Sequence, residues 1–145
     1  MSSKYQDNYF AVGLGLIEHL EAKQAEWGVK HVGIVSDIGK INKQTTPALY
    51  VINTRNDPNA NGSIDSQDIQ QWTVVVAVSN QSSQTDAKAL MKSSGELIAK
   101  VINHVQGFEI DDYHDPLQRT GTSGRPEYFS TFALYPFTFQ TKFQP

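Results

Sequence analysis

The sequence predicts an α+β fold: a mainly antiparallel sheet of about five strands packed with two helices, in the order α-β-β-β-α-β-β. Three observations carry that expectation. Residues 69–79 (Ile-Gln-Gln-Trp-Thr-Val-Val-Val-Ala-Val-Ser) are β-branched and largely apolar on both faces. Residues 86–105 place apolar side chains at helical spacing. The remaining apolar runs are short, and the links between them are mostly hairpin-like, which favours antiparallel pairing.

Taken in order, Asp7 or Asn8 is the candidate cap of a first helix that runs to about Glu26 and is closed by Gly28. Phe10, Gly13, Leu14, Ile17, Leu20, Gln24 and Trp27 approximate its buried face. Gly13 and Gly15 each cost about 1 kcal/mol relative to alanine in a helix interior, so close approach to a neighbouring element is expected there. Gly13-Leu-Gly15 follows no strand and lacks the rest of a dinucleotide fingerprint, which leaves helix packing as its reading.

His31 to Ser36 reads as a short strand, Asp37 to Thr46 as a polar loop carrying Lys40 and Lys43, and Ala48 to Thr54 as a second strand. Thr54 to Asp68, with Arg55, Asp57 and Asp65, has the composition of a long exposed loop. In the third strand Trp72, Val74, Val76 and Val78 point one way, and Thr73, Val75 and Ala77 the other. That pattern suits a central strand covered on both faces.

Thr85 or Asp86 caps the long helix. Its apolar face is Ala87, Leu90, Met91, Leu97, Ile98, Val101, Ile102 and Val105, with Ser94 in the gap, and the whole face is expected to lie on the sheet. Lys88, Lys92, Glu96, Lys100 and Asn103 lie opposite. Gly107 should turn left-handed after the helix and Phe108 fold back beneath it. Glu109 to Asp115 is an acidic connector, Leu117 to Gly121 a short strand, and Tyr128 to Phe143 a long aromatic strand. From Phe137 onward that strand alternates cleanly, Phe137, Phe139 and Phe143 against Thr138, Gln140 and Lys142. Pro136 lacks an amide hydrogen, so an unpaired edge or a bulge is expected there.

With 145 residues the chain is most simply one domain, residues 1–145, large enough for a single core. It has no cysteine, which excludes disulfides and thiolate metal sites. The first residues carry no apolar signal run and no segment is long enough to span a bilayer, so a cytosolic protein without a membrane partner is expected. The formal net charge of -3 argues against a general nucleic-acid binder, and no sequence-specific nucleic-acid binding is expected. Asn, Gln, Ser and Thr are abundant, a neutral polar surface compatible with docking to other subunits.

Asp111, Asp112, His114 and Asp115 form the one concentrated set of potential metal ligands. They lack the regular spacing of a calcium loop, and an exposed acidic connector accounts for them equally well, so no metal and no cofactor is assigned. His19, His31 and His104 fall on helix or strand surfaces, where a solvent-facing or capping role is expected. No serine sits in a nucleophile elbow, and Gly121-Thr-Ser-Gly124 lacks the lysine of a phosphate loop. No catalytic residue is assigned, and an enzyme is not expected.

The element order, with Trp72-Thr-Val-Val-Val-Ala-Val, the helix from Asp86 to Val105, Pro116-Leu-Gln-Arg and the aromatic segment from Tyr128 to Phe143, resembles the phage tail terminator family, the broad group of lambda-type minor tail protein U and its prophage relatives. The resemblance covers most of the chain as a pattern of elements. It implies a ring, usually hexameric, that stops tail-tube polymerisation and joins tail to head. The implied partners are further copies of the chain, the tail tube protein and head–tail connector proteins; the implied location is the virion, after assembly in the host cytoplasm. By analogy, the loops at Lys40 and Lys43 and at Arg55, Asp57 and Asp65 are candidate docking surfaces. A head–tail connector or neck protein would share these features. A small α+β enzyme is the remaining alternative, and would need a pocket that the sequence does not announce.

Overall fold

The computed structural model describes residues 5, 7–41, 45–58, 67–79, 87–121, 124–129 and 131–145. The chain folds as α1 (Ala11–Glu21), α2 (Gln24–Trp27), β1 (His31–Ile34), a 3-10 turn (Ile38–Lys40), β2 (Ala48–Pro58), β3 (Asp68–Ser79), α3 (Ala87–Val105), β4 (Gln118–Arg119), β5 (Glu127–Tyr128) and β6 (Phe132–Phe143). The fold class is α+β as expected, with six strands in one mixed sheet of order β1-β2-β3-β6-β4, and β5 also on β6. Every pairing is antiparallel except β1 with β2. That exception follows from the connection through residues 35–47, which is long enough to carry the chain back to the start of a parallel neighbour.

β3 is the centre. Val76 pairs with Leu49 on one side and Tyr135 on the other, and both of its sheet faces are covered. On the helix side Trp72, Val74, Val76 and Val78 join Val12, Leu16 and Leu20 of α1, Val101 and Val105 of α3, and Phe139. On the opposite side Val75 and Ala77 join Tyr50, Ile52, Phe132 and Leu134, capped by Ile41 with Val35 and Ile38 from the β1–β2 connection. The second layer is thus a loop, where a helix would be the commoner cover.

The first helix departs from expectation in two ways. It stops at Glu21, where the Lys23 amide bonds the Leu20 carbonyl at 3.0 Å and tightens the last turn, and α2 follows as a separate piece. Its buried face is also rotated toward Val12 and Leu16, leaving Phe10 47% exposed. The glycines set that rotation: a Cβ on Gly13 would overlap the Trp72 ring, and one on Gly15 would overlap Ile110. The expected close approach is therefore real. Phe10, not Asp7 or Asn8, occupies the N-cap position; Asn8 Oδ1 instead accepts the Phe10 amide at 2.8 Å. Gly28 closes α2 with φ 68° as predicted.

β2 runs on to Pro58, four residues into the expected loop beyond Thr54, past a register shift between Asn53 and Arg55. Polar composition suggested a loop, but the backbone is satisfied in the ladder with β3 whatever the side chains are. At the other end, the single aromatic strand expected from Tyr128 is a hairpin. The Phe129 amide bonds the Phe132 carbonyl at 2.8 Å, and the chain returns as β6. Pro136 falls between the stretches of β6 that pair with β4 and with β5, so its missing amide lies at an unpaired edge.

α3 is the largest correction. Among the described side chains of its apolar face only Val101 and Val105 are buried, Leu90, Leu97, Ile98 and Ile102 are half-buried, and Met91 is 78% exposed. The described first half of the helix is largely exposed, where the whole face was expected to lie on the sheet. Thr85 and Asp86, its candidate caps, lie outside the described residues. Gly107 closes it with φ 83°, and Phe108 packs back on the core as predicted.

Candidate functional site

The candidate docking residues divide among three positions. Lys40 is exposed at the end of the 3-10 turn. Arg55 and Asp57 belong to β2 rather than to a loop, where their side chains form an ion pair with each other on the exposed arm. Such a pair contributes little to stability. Lys43 and Asp65 lie outside the described residues.

The acidic connector does not converge on a cation. Asp112 and Asp115 are exposed, while Asp111 and His114 are buried against each other. Asp111 Oδ1 accepts three hydrogen bonds, from His114 Nδ1 at 2.8 Å and from the amides of Tyr113 at 2.8 Å and His114 at 3.0 Å. Burial pushes the Asp111 carboxyl up, but these hydrogen bonds and the attraction of His114 outweigh it and hold the carboxyl below its ordinary value. His114 stacks on Phe143 at 4.4 Å and bridges to it in the sheet, so the pair fastens the connector to the end of β6. Among the described residues, no group of three or more His, Asp or Glu side chains could hold a metal ion.

His19 and His104 are not surface residues of separate helices. Their rings stack at 3.6 Å and 6° between α1 and α3, with Phe108 on the far face of His19 and Trp27 edge-on to His104. Each Nε2–H donates to the other's backbone carbonyl at 2.8 Å. The carbonyls can only accept, which fixes the neutral tautomer with hydrogen on Nε2. The spacing of His19 and His104 in the sequence gave no sign that they meet.

Burial lowers the His19 pKa; the hydrogen bond to the His104 carbonyl opposes this, and the nearby charges of His104 and Lys23 add to the lowering. A lowered folded-state value means that the unfolded chain binds the proton first. The stabilisation is fully present above about pH 6.5, the ordinary histidine value, and is lost as pH falls through the lower folded value. The melting temperature is therefore expected to fall between pH 7 and 5, and His19→Gln should flatten that slope. An unchanged slope in thermal melts of the variant would remove His19 as its source.

Two surfaces stand out for docking. Phe10 at the N-cap of α1, Leu14 within it, and Ile34 and Val35 at the end of β1 line an apolar groove of about 570 Å³ that also reaches Trp72. Phe10 and Ile34 are 47% and 51% exposed. On the other face of the sheet a shallow basin of about 560 Å³ is lined by Thr54, Gln71, Thr73, Thr138 and Arg125. Thr73 and Thr138 bond across it at 2.9 Å. Its lining mixes these neutral polar side chains with the charges of Asp37, Arg125 and Glu127 and with apolar Ile38, Ile52 and Val75. Sequence periodicity could not find the groove, because it assigned Phe10 and Leu14 to the buried face.

The family model of the phage tail terminator protein matches residues 6–145. No curated protein matches the chain. A solved chain from the virion of a native gene transfer agent particle superposes with a TM-score of 0.59 at 14% identity, covering 95% of this chain and 100% of that one. At that identity the likeness establishes the fold.

Proposed function

Because the chain belongs to the phage tail terminator family, a family of structural virion proteins, we propose that it assembles into a ring, hexameric as the family resemblance implies, that caps the last ring of the tail tube, stops its polymerisation and helps join tail to head. The observation that carries this reading is the family match, which runs from residue 6 to the last residue and so takes in every element of the fold. The tail tube protein, head–tail connector proteins and further copies of the chain are its partners, and the chain meets them in the host cytoplasm before residing in the virion. The surfaces support such a role. Exposed apolar side chains at Phe10, Ile34 and Met91 suit contact with other protein, and a closed ring is the economical way to meet the end of a symmetric tube.

The test is a stop codon in the gene within its own phage or prophage. Tails of uncontrolled length, or tails that cannot join heads, are expected in electron micrographs. Normal-length tails attached to heads would sink the proposal. Normal-length tails left unattached would point instead to a neck protein.

A further inference from the structure

We propose that His19 and His104 form a proton-operated latch, which holds α3 against α1 in neutral solution and lets α3 move off α1, with the sheet intact, once both rings are charged.

The latch joins two helix ends. The amide four residues beyond His19, that of Lys23, bonds the Leu20 carbonyl instead, and the amide of Phe108 bonds the Val105 carbonyl, each at 3.0 Å. The carbonyls of His19 and His104 are thereby left to other donors, and each accepts the Nε2–H of the opposite histidine at 2.8 Å. Each ring caps the helix that carries its partner. The rings lie parallel, 3.6 Å apart, with Phe108 stacked on His19 and Trp27 set across His104.

This arrangement accommodates one positive charge and not two. With Nε2–H committed to a carbonyl, an added proton goes to Nδ1, and the ring keeps its bond while it carries the charge. A second charge would lie against the first at ring-contact distance, in a half-buried site where water screens it poorly. The surroundings do little to offset it. The charges that act on His19 are those of His104 and Lys23, both cations. Lys23 pairs with Glu26 of α2 at 3.7 Å, and Glu18 of α1 accepts the Tyr5 hydroxyl at 2.7 Å. Lys100 of α3 adds a further cation, and Glu109 of the connector is exposed to solvent. Once the rings separate, both take up protons, so acid favours the open form.

α3 is built to respond. Among its described side chains only Val101 and Val105 are buried, which keeps the open form rare at neutral pH but within reach. Just beyond the helix the chain is anchored again, because Gly107 N–H donates to the Leu117 carbonyl at 2.8 Å and Phe108 packs on the core. The helix can therefore swing about its last turn without drawing the sheet with it.

Amide exchange of the full-length protein, corrected for the intrinsic effect of pH, measures the latch. Between pH 7.5 and 5, opening of residues 97–105 should rise about 30-fold, as one proton is taken up below the ordinary histidine value near 6.5. Residues 72–78 of β3 should keep their protection. His19→Gln with His104→Gln keeps donors for both carbonyls but cannot titrate, and should abolish the rise. In NMR titrations of the parental protein the two rings should titrate in separate steps, with the α3 amide shifts following the lower one. Loss of protection in α3 and β3 together, an undiminished rise in the double variant, or one shared step with α3 still protected would overturn the latch.

Discussion

Val76→Asp is expected to unfold the protein. Val76 has no exposed surface and sits at the middle of β3, paired with Leu49 and Tyr135, with α1 and α3 above it. A carboxylate there has no hydrogen-bond donor free to meet it, because the flanking amides are committed to the ladder. The substitution loses the burial of the valine and adds the cost of an unpaired polar group, several kcal/mol together. Domains of this size have about 5–15 kcal/mol of stability in total. Loss of soluble expression, or a melting transition lowered by more than about 10 °C, is the expected readout. A soluble variant with an unchanged melting temperature would remove β3 as the central strand.

That centre was legible because its signal is local. Valine on both faces of one strand specifies burial on both faces, and the structure places Val74, Val75 and Val76 where no surface remains. Gly28 and Gly107 were legible for the same reason, since a left-handed residue ends a helix by itself. What could not be read depends on partners far away in sequence. The apolar stripe from Ala87 to Val105 is continuous, yet how much of it is covered depends on where the sheet ends. Arg55 and Asp57 looked like loop residues, because their pairing with Gln71 and Ile69, respectively, does not show in their composition. His19 and His104 meet only after the helices are in place, and Asp111 and His114, though three residues apart, are covered only where His114 stacks on Phe143 of β6. Of the candidate docking residues, Lys40 lies exposed at the end of the 3-10 turn, and the groove at Phe10 and Ile34 was hidden by a helix face rotated from its periodic assignment.

Trp72 shows most sharply how that rotation is enforced, and it carries the second large expected effect. It is 2% exposed, its Nε1–H donates to Gln70 Oε1 at 2.9 Å, and Gln70 Nε2–H, fully buried, donates to the Tyr9 carbonyl at 3.0 Å. This chain of hydrogen bonds holds the segment before α1 on β3, while Gly13 lies against the indole ring. Trp72→Ala should cost about 3–5 kcal/mol, because the cavity it opens adds to an acceptor left without its donor. Gly13→Ala then becomes diagnostic. In an open helix the change is favourable by about 1 kcal/mol, as expected for Gly95→Ala. At Gly13 the new methyl would overlap a ring pinned at both ends, so in the parental chain the substitution should destabilise by about 1–3 kcal/mol. In the Trp72→Ala background the ring is gone, and the same substitution should stabilise. Urea melts of the four proteins in that cycle measure the reversal directly. If Gly13→Ala stabilises both backgrounds, the helix does not rest on Trp72, and both the rotated face and the groove beside it lose their physical basis.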